Sequence, residues 1–307
     1  MNNIVEIAII VGPIFLLMGV GAILRRLVRK ELLWTRAEKL LVNIMLPILI
    51  IYVISDIRRV HDYHWALAQL VLAITVIAGL LAAGWMKMRG ADRQAITAAM
   101  QGAAQHNIFI AASAVLFGFG FDGLKAAMFI ASVLILVINI GNVLLAHFTG
   151  TVMNFKTALK KAILNPPVIA SLISYFMISE YIHLPDSVND PAGVIAQATL
   201  PFGLILAGAK LIGANGPLPW KQAAPFAAIK VIIVPALAAF MAPFLGVVGS
   251  GAFVGVALIF AVSPVTFNVY AEGSKADPAL QMAILRLQTL GFILTLPFWL
   301  ELTNYLQ

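Results

Sequence analysis

The chain is predicted to be an all-α polytopic membrane protein of ten transmembrane helices, arranged as two inverted five-helix repeats whose fourth and ninth helices are broken. Three observations carry that prediction. Of 307 residues, 62% are hydrophobic and 11% charged, with a mean hydropathy of +0.98. That leaves too little polar surface to cover a water-soluble globule of this size. The apolar stretches reach the roughly 20 residues a helix needs to cross about 30 Å of hydrocarbon. Finally, Pro13 and Pro167 stand 154 residues apart, and the amide-x-x-Leu-Pro patterns Asn43-Ile-Met-Leu-Pro47 and Gln197-Ala-Thr-Leu-Pro201 share the same offset.

Segmentation by length gives ten candidate spans, near 4–24, 38–54, 65–86, 95–119, 124–148, 166–182, 191–212, 222–244, 251–271 and 278–302. Lipid tolerates only internally bonded backbone, and no alternating pattern suggests a barrel. The first stretch lacks a basic leader and a small-residue cleavage site, so it reads as a retained helix. With no cysteine, disulfides and thiolate metal sites are excluded.

The net charge of +7 lies in short loops rather than on one basic face, which argues against nucleic acid as a partner and for the lipid bilayer. Arg25, Arg26, Arg29, Lys30, Arg36, Lys39, Lys87, Arg89, Arg93, Lys156, Lys160, Lys161, Lys210, Lys221 and Lys275 fall on one side, and only Arg58, Arg59 and Lys125 on the other. The positive-inside rule puts the larger set in the cytoplasm and both termini on the extracytoplasmic side of the cell (inner) membrane. An odd unit of five spans repeated in tandem must invert. The expected organisation is therefore a first repeat over 1–148, a short cytoplasmic linker over 149–165 and a second repeat over 166–307.

Polar residues inside the spans single out a site. Span four carries Gln101, Gln105, His106 and Asn107 where a lipid-facing helix would be aliphatic, and groups at that depth commonly mark a pathway. Span nine reads Ala261-Val-Ser-Pro264-Val-Thr266-Phe-Asn268. Pro264 cannot donate to the carbonyl of residue 260, so the helix is expected to open there. The 154-residue offset carries His106 onto position 260, so the two breaks coincide although only one contains a proline. Opened half-helices offer positive N-terminal ends and uncapped carbonyls, suited to an anion. The alternative is that such kinks and amides serve helix packing alone.

Lys230 and Arg286 are the cations deep in spans eight and ten, and no acid occupies a span centre. This surplus favours an anionic ligand over a cation, with Lys230 either supplying charge or snorkelling to the interface. His106 is a candidate proton carrier, since an imidazole titrates near working pH. Asn139, Asn142 and His147 are spaced to line the interior. Asn43 and Gln197 either contact ligand or repair the backbone freed by the prolines four residues on. Gly19, Gly21, Gly203 and Gly208 permit close helix contact.

The chain resembles the auxin efflux carrier family, whose plant branch contains the PIN auxin carriers. The resemblance spans the chain and rests on Asn43 to Ser55 (NIMLPILIIYVIS), Asn107 with its following apolar stretch, Leu164-Asn-Pro-Pro167, and Pro264 to Leu296 with Tyr270-Ala-Glu-Gly273, closed by Thr295-Leu-Pro297. It implies the inverted-repeat fold of bile-acid and sodium/proton carriers, with the broken spans four and nine crossing. It also implies a scaffold of spans one, two, six and seven that forms a homodimer through spans one, two and seven, and a moving unit of spans three to five and eight to ten. Asn107 matches the crossover asparagine of the family. His106 stands where plant members have proline, and residues 65–86 lack the acidic residue those members use. Bacterial relatives are associated with small organic anions such as malonate or malate.

The expected function is secondary transport of a small organic anion by an elevator-type movement, with no enzymatic activity, cofactor or metal, and with the proton as a candidate coupling ion. The expected binding residues are Gln105, His106, Asn107, Asn43, Pro264, Thr266, Asn268 and Arg286, with Lys230 and His106 as candidates for counter-charge or coupling. The alternatives are a sodium-coupled symporter of the bile-acid type, with Gln105, Thr266 and Asn268 as oxygen ligands, and a ligand-binding membrane sensor that does not transport.

Overall fold

A computed structural model describes residues 4–57, 60–148, 154–179, 182, 184–212, 217–247, 251–266 and 277–303. Among these residues the fold is helical throughout, without a strand. Helix α1 is Ile4–Leu27, and α2 (Glu31–Leu40) passes through a π-helical turn, Leu41–Met45, into α3 (Leu46–Ser55). Then come α4 (Asp62–Met88), α5 (Arg93–Ala104), α6 (Ile108–Phe148), α7 (Phe155–Ile163), α8 (Pro166–Ser179) and α9 (Asp186–Lys210). Helix α10 (Trp220–Ala228) leads through a second π-helical turn, Ile229–Ile233, into α11 (Val234–Met241) and a 3₁₀ turn, Pro243–Leu245. Helices α12 (Gly251–Val262) and α13 (Pro278–Leu302) complete the order.

Seven helical stretches among the described residues are long and apolar enough to cross a bilayer: Ala8–Leu27, Glu31–Ser55, Tyr63–Met88, Arg93–Leu144, Asp186–Lys210, Trp220–Met241 and Pro278–Leu302. Phe155–Ile163 and Pro166–Ile178 make an eighth if counted as one span bent by 53°. The 52-residue stretch Arg93–Leu144 is more than one crossing. At about 1.5 Å per residue it exceeds twice the ~30 Å hydrocarbon core. It is interrupted at residues 105–107 and again at Gly120, whose φ of 67° and ψ of −162° belong to backbone that only glycine adopts freely. Helix α12 is short, and the chain beyond Thr266 in the predicted ninth span lies outside the described residues.

Both π turns have the same local cause. Pro47 cannot bond the carbonyl of Asn43, nor Pro235 that of Val231. The backbone slips by one residue just upstream, so Leu46 N–H bonds Leu41 and Val234 N–H bonds Ile229. In the second case the freed Val231 carbonyl accepts from the Trp299 indole at 2.9 Å. The segment predicted as a linker carries a helix of its own, α7, capped by the Asn154 side chain on Thr157 N–H and ending in Lys160 and Lys161.

Element boundaries repeat at the offset seen in the sequence, to within a few residues: Glu31–Ser55 onto α9, α4 onto Trp220–Met241, and α5 onto α12. One apolar cluster joins α4, α5, much of α6 and α10 to α13 with one side of α1, and a second joins α3, α8, α9 and the other face of α6. Helices α1 and α9 touch backbone to backbone. A Cβ on Gly21 would lie 1.8 Å from the Ile205 carbonyl oxygen, and one on Gly208 1.9 Å from that of Met18.

Candidate functional site

The break between α5 and α6 needs no proline. Gln105 leaves the helix with φ −80° and ψ 153°, and Asn107 restarts it by accepting Phe109 N–H and Ile110 N–H on its Oδ1, each at 3.1 Å. An asparagine in that position is a strong N-cap. The facing break follows α12, where Ser263 bends the chain and Pro264 to Thr266 run without helical bonds. The two breaks are tied directly, with Asn107 N–H donating to the Pro264 carbonyl at 2.7 Å. They are also tied through Gln288 of α13, whose Oε1 accepts Val265 N–H at 2.8 Å while its Nε2 donates to the Gly102 carbonyl at 2.7 Å.

His106 fills the place that a proline occupies opposite. Its Nδ1 lies 2.7 Å from the Phe260 carbonyl, the group freed by Pro264, and the pair is separated by the 154 residues of the repeat. Ser263 Oγ donates to the same carbonyl at 2.8 Å. His106 Nε2 lies 2.7 Å from Thr75 Oγ1 of α4, and Lys230 Nζ, on the second π turn, lies 2.9 Å from Nδ1. Lys230 is fully buried, so it does not snorkel to an interface.

A cavity of about 390 Å³ ends on these breaks. Gln105, His106, Asn107, Val265 and Thr266 line its inner end, together with the first turn of α6. Its wall is apolar, with Leu41, Leu46, Phe109, Ile135, Leu206 and Met282 contributing. Arg25, Glu31, Glu38 and Lys210 stand at the other end, paired as Arg25 with Glu31 and Lys210 with Glu38. The two pairs cancel in charge. At the inner end the ionisable group is His106, and the Thr266 hydroxyl is buried without a hydrogen-bond partner among the described residues.

Of the residues singled out in the sequence, Gln105, His106, Asn107 and Thr266 share this cavity, while Pro264 is held by Asn107 and Lys230 by His106. Asn43 sits in the first π turn beside the lining residues Leu41 and Val42 but is not itself a lining residue. Arg286 is turned away, its Nε donating to the Leu211 carbonyl at 2.9 Å, and it too is not a lining residue. Asn268 lies outside the described residues. Asn139 lines the cavity and accepts from Asn165, and Asn142 accepts from Gln105 at 3.2 Å. Thr75, Gln288 and the two ion pairs at the mouth were not singled out. The partners of Thr75 and Gln288 lie far off in the sequence, and only the fold tells which partner each meets.

A network of satisfied amides around two helix breaks, at the blind end of an apolar-walled cavity, suits the recognition of a small polar or anionic molecule. No curated protein matches the chain. Residues 150–300 match the family model described as Membrane transport protein. That match takes in just under half of the chain, with the break at Pro264 and the buried Lys230, and it is to the membrane transport domain of the auxin efflux carrier family, a family of membrane transporters and not of enzymes.

Proposed function

We propose that the protein is a secondary carrier of a small organic anion, which binds at the crossing of the two broken helices. The observation that carries this reading is the composition of the cavity's inner end. Among the described residues it holds the N-terminal turn of α6, the amides of Gln105 and Asn107, the Thr266 hydroxyl without a hydrogen-bond partner, and His106, and no carboxylate. A helix N-terminus with convergent donors favours negative charge. A sodium site would instead require several oxygen ligands converging on one point. In this reading Asn107 both caps α6 and orients the carboxylate, and Thr266 supplies its hydroxyl.

The fold behind this reading has ten crossings in two inverted halves over 1–148 and 166–307, with two crossings inside Arg93–Leu144 and one through Pro264. Loop cations set the cavity mouth, with Arg25 and Lys210, on the cytoplasmic side of the cell membrane and both termini outside. Alternating access is an elevator-type movement of α4 to α6 with α10 to α13 against α1 to α3, α8 and α9. The second group presents exposed apolar side chains, Leu16, Ile23, Ile44 and Val194 among them. They suit a homodimer contact within lipid.

Uptake of radiolabelled malonate and malate into proteoliposomes tests the site. Wild type is expected to accumulate at least one of them, and Asn107→Ala and Thr266→Val to lower uptake at least tenfold. Uptake unchanged in both variants removes the crossing as the binding site. Uptake that stops when sodium is replaced by choline moves the reading to a sodium symporter.

A further inference from the structure

Building on the carrier reading above, we propose that His106, Thr75 and Lys230 form a proton-binding site that takes up one proton when an anion enters the cavity and gives it back when the anion leaves. The hydrogen-bond geometry sets the states. The Phe260 carbonyl can only accept, and it lies 2.7 Å from His106 Nδ1, so Nδ1 carries hydrogen. Lys230 Nζ lies 2.9 Å from that same Nδ1. With its hydrogen on the Phe260 carbonyl, Nδ1 has no lone pair left for an ammonium to donate to, and no carboxylate among the described residues stands beside Lys230, so the site favours the neutral amine.

The variable position is Nε2. Thr75 Oγ1 stands 2.7 Å from Nε2 and 2.6 Å from the Val71 carbonyl, and its one hydrogen can serve only one of them. Pointed at Nε2, it completes a neutral imidazole. Turned to Val71, it leaves Nε2 free to form an N–H bond and donate to the threonine oxygen, which makes an imidazolium. Uptake of a proton therefore forms one N–H bond and rotates one hydroxyl, with no heavy atom displaced. The proton comes from water in the cavity, which His106 lines. A second proton on Lys230 is opposed by the imidazolium beside it.

The surroundings link this proton to the anion. Helix α4 carries Asp62, His64 and Lys87 near its ends; α5 has Arg93 in its first turn; α6 has Asp122 and Lys125 just past Gly120 and His147 at its end. Helix α10 has Lys221, α11 and α12 have no charged side chain, and α13 has Arg286, turned to Leu211, and Glu301 in its last turn. No carboxylate among the described residues pairs with His106 or Lys230. A buried imidazolium without a counter-charge is strongly disfavoured, and a carboxylate arriving beside Asn107 supplies one. By linkage each ligand then strengthens the other equally, so the anion crosses with a proton.

Two measurements on the full chain test this. In proteoliposomes with an entrapped pH dye, radiolabelled malonate or malate is expected to move with one proton per anion. The ratio is expected to fall to zero in whatever flux His106→Gln retains and to stay at one in Lys230→Met. A ratio of one in His106→Gln, or of zero in wild type, overturns the proposal while leaving the carrier reading intact. The second measurement needs no substrate. Asn107→Asp, or Thr266→Asp if the first does not fold, fixes a carboxylate beside the histidine. Nitrogen NMR of labelled histidine in nanodiscs, with His106→Gln to assign the signal, is expected to show a neutral ring at pH 7 in wild type and a doubly protonated ring in the aspartate variant. A neutral ring in both overturns the proton site whether or not any anion is carried. Protonation without flux of any anion leaves the proton site standing and removes the carrier.

Discussion

Asn107 does two jobs with one side chain, and they separate experimentally. Its Oδ1 caps α6 and its backbone N–H holds Pro264. Asn107→Ala keeps the second bond and loses the cap, at a cost of about 1 kcal/mol; Asn107→Ser keeps a capping oxygen. Thermal unfolding is expected to rank wild type above serine above alanine. Gln288 is more demanding, because Gln288→Leu strands both the Val265 N–H and the Gly102 carbonyl in a dry interior. Each unpaired group costs about 1–3 kcal/mol, so this variant is expected to lose more stability than Asn107→Ala in the same measurement. The sequence disclosed Asn107, because a helix former would not place an amide there, and it disclosed the meeting of His106 with position 260 through the repeat. It did not disclose Thr75 or Gln288. Nothing local distinguishes them from the polar residues that bond their own turn, as Ser171 and Thr295 do. Their partners lie 31 and 186 residues away.

At the scale of elements, Pro47 and Pro264 marked two of the irregularities in advance and the repeat offset a third, at His106, while the second π turn was not read from the sequence. Pro235 removes a bond at Val231, and a tryptophan 68 residues on satisfies that carbonyl. Trp299→Phe keeps the ring and deletes the donor. It is expected to cost about 1–3 kcal/mol and to speed hydrogen exchange across Ile229–Ile233, which also holds Lys230. The glycines were legible as packing residues but not as a graded set. Gly21 and Gly208 sit where a Cβ would meet backbone oxygen, whereas Gly19 has nothing within 4 Å. Gly208→Ala is therefore expected to pry α1 from α9 and lower the unfolding temperature. Gly19→Ala gains helix propensity of about 1 kcal/mol and is expected to leave it unchanged or raised. Equal effects of the two would mean that the contact between α1 and α9 is not tight.

For the whole molecule, composition pointed to an all-helical membrane protein, as the described residues are, and repeat and loop charge supplied an expected side for each loop. The direction in which the cavity opens was beyond the sequence, because it depends on how the helices pack, and a carrier working as proposed would pass through at least two such packings. Here the cavity runs from the ion pairs of Arg25 and Lys210 to the crossing. On the other side Lys125 bonds both Asp56 and Asp122, and Trp65 and Phe129 pack on Tyr175. Lys125 and Asp56 belong to the two groups of helices proposed to slide past each other, so under that proposal this contact favours the form open toward Arg25. The chain has no cysteine, which permits a direct measurement. Val42→Cys and Met282→Cys, both at lining positions, are expected to react with an impermeant thiol reagent applied from the cytoplasmic side and to be protected from the other. Adding Lys125→Ala removes the Asp56 pair. A partly exposed ion pair contributes at most about 1 kcal/mol, so cytoplasmic labelling is expected to slow by up to about fivefold as the population shifts. Labelling from the extracytoplasmic side alone would reverse the orientation assigned from the loop charges. Labelling indifferent to Lys125→Ala would mean that the apolar contacts at Tyr175 hold that side closed without the ion pair.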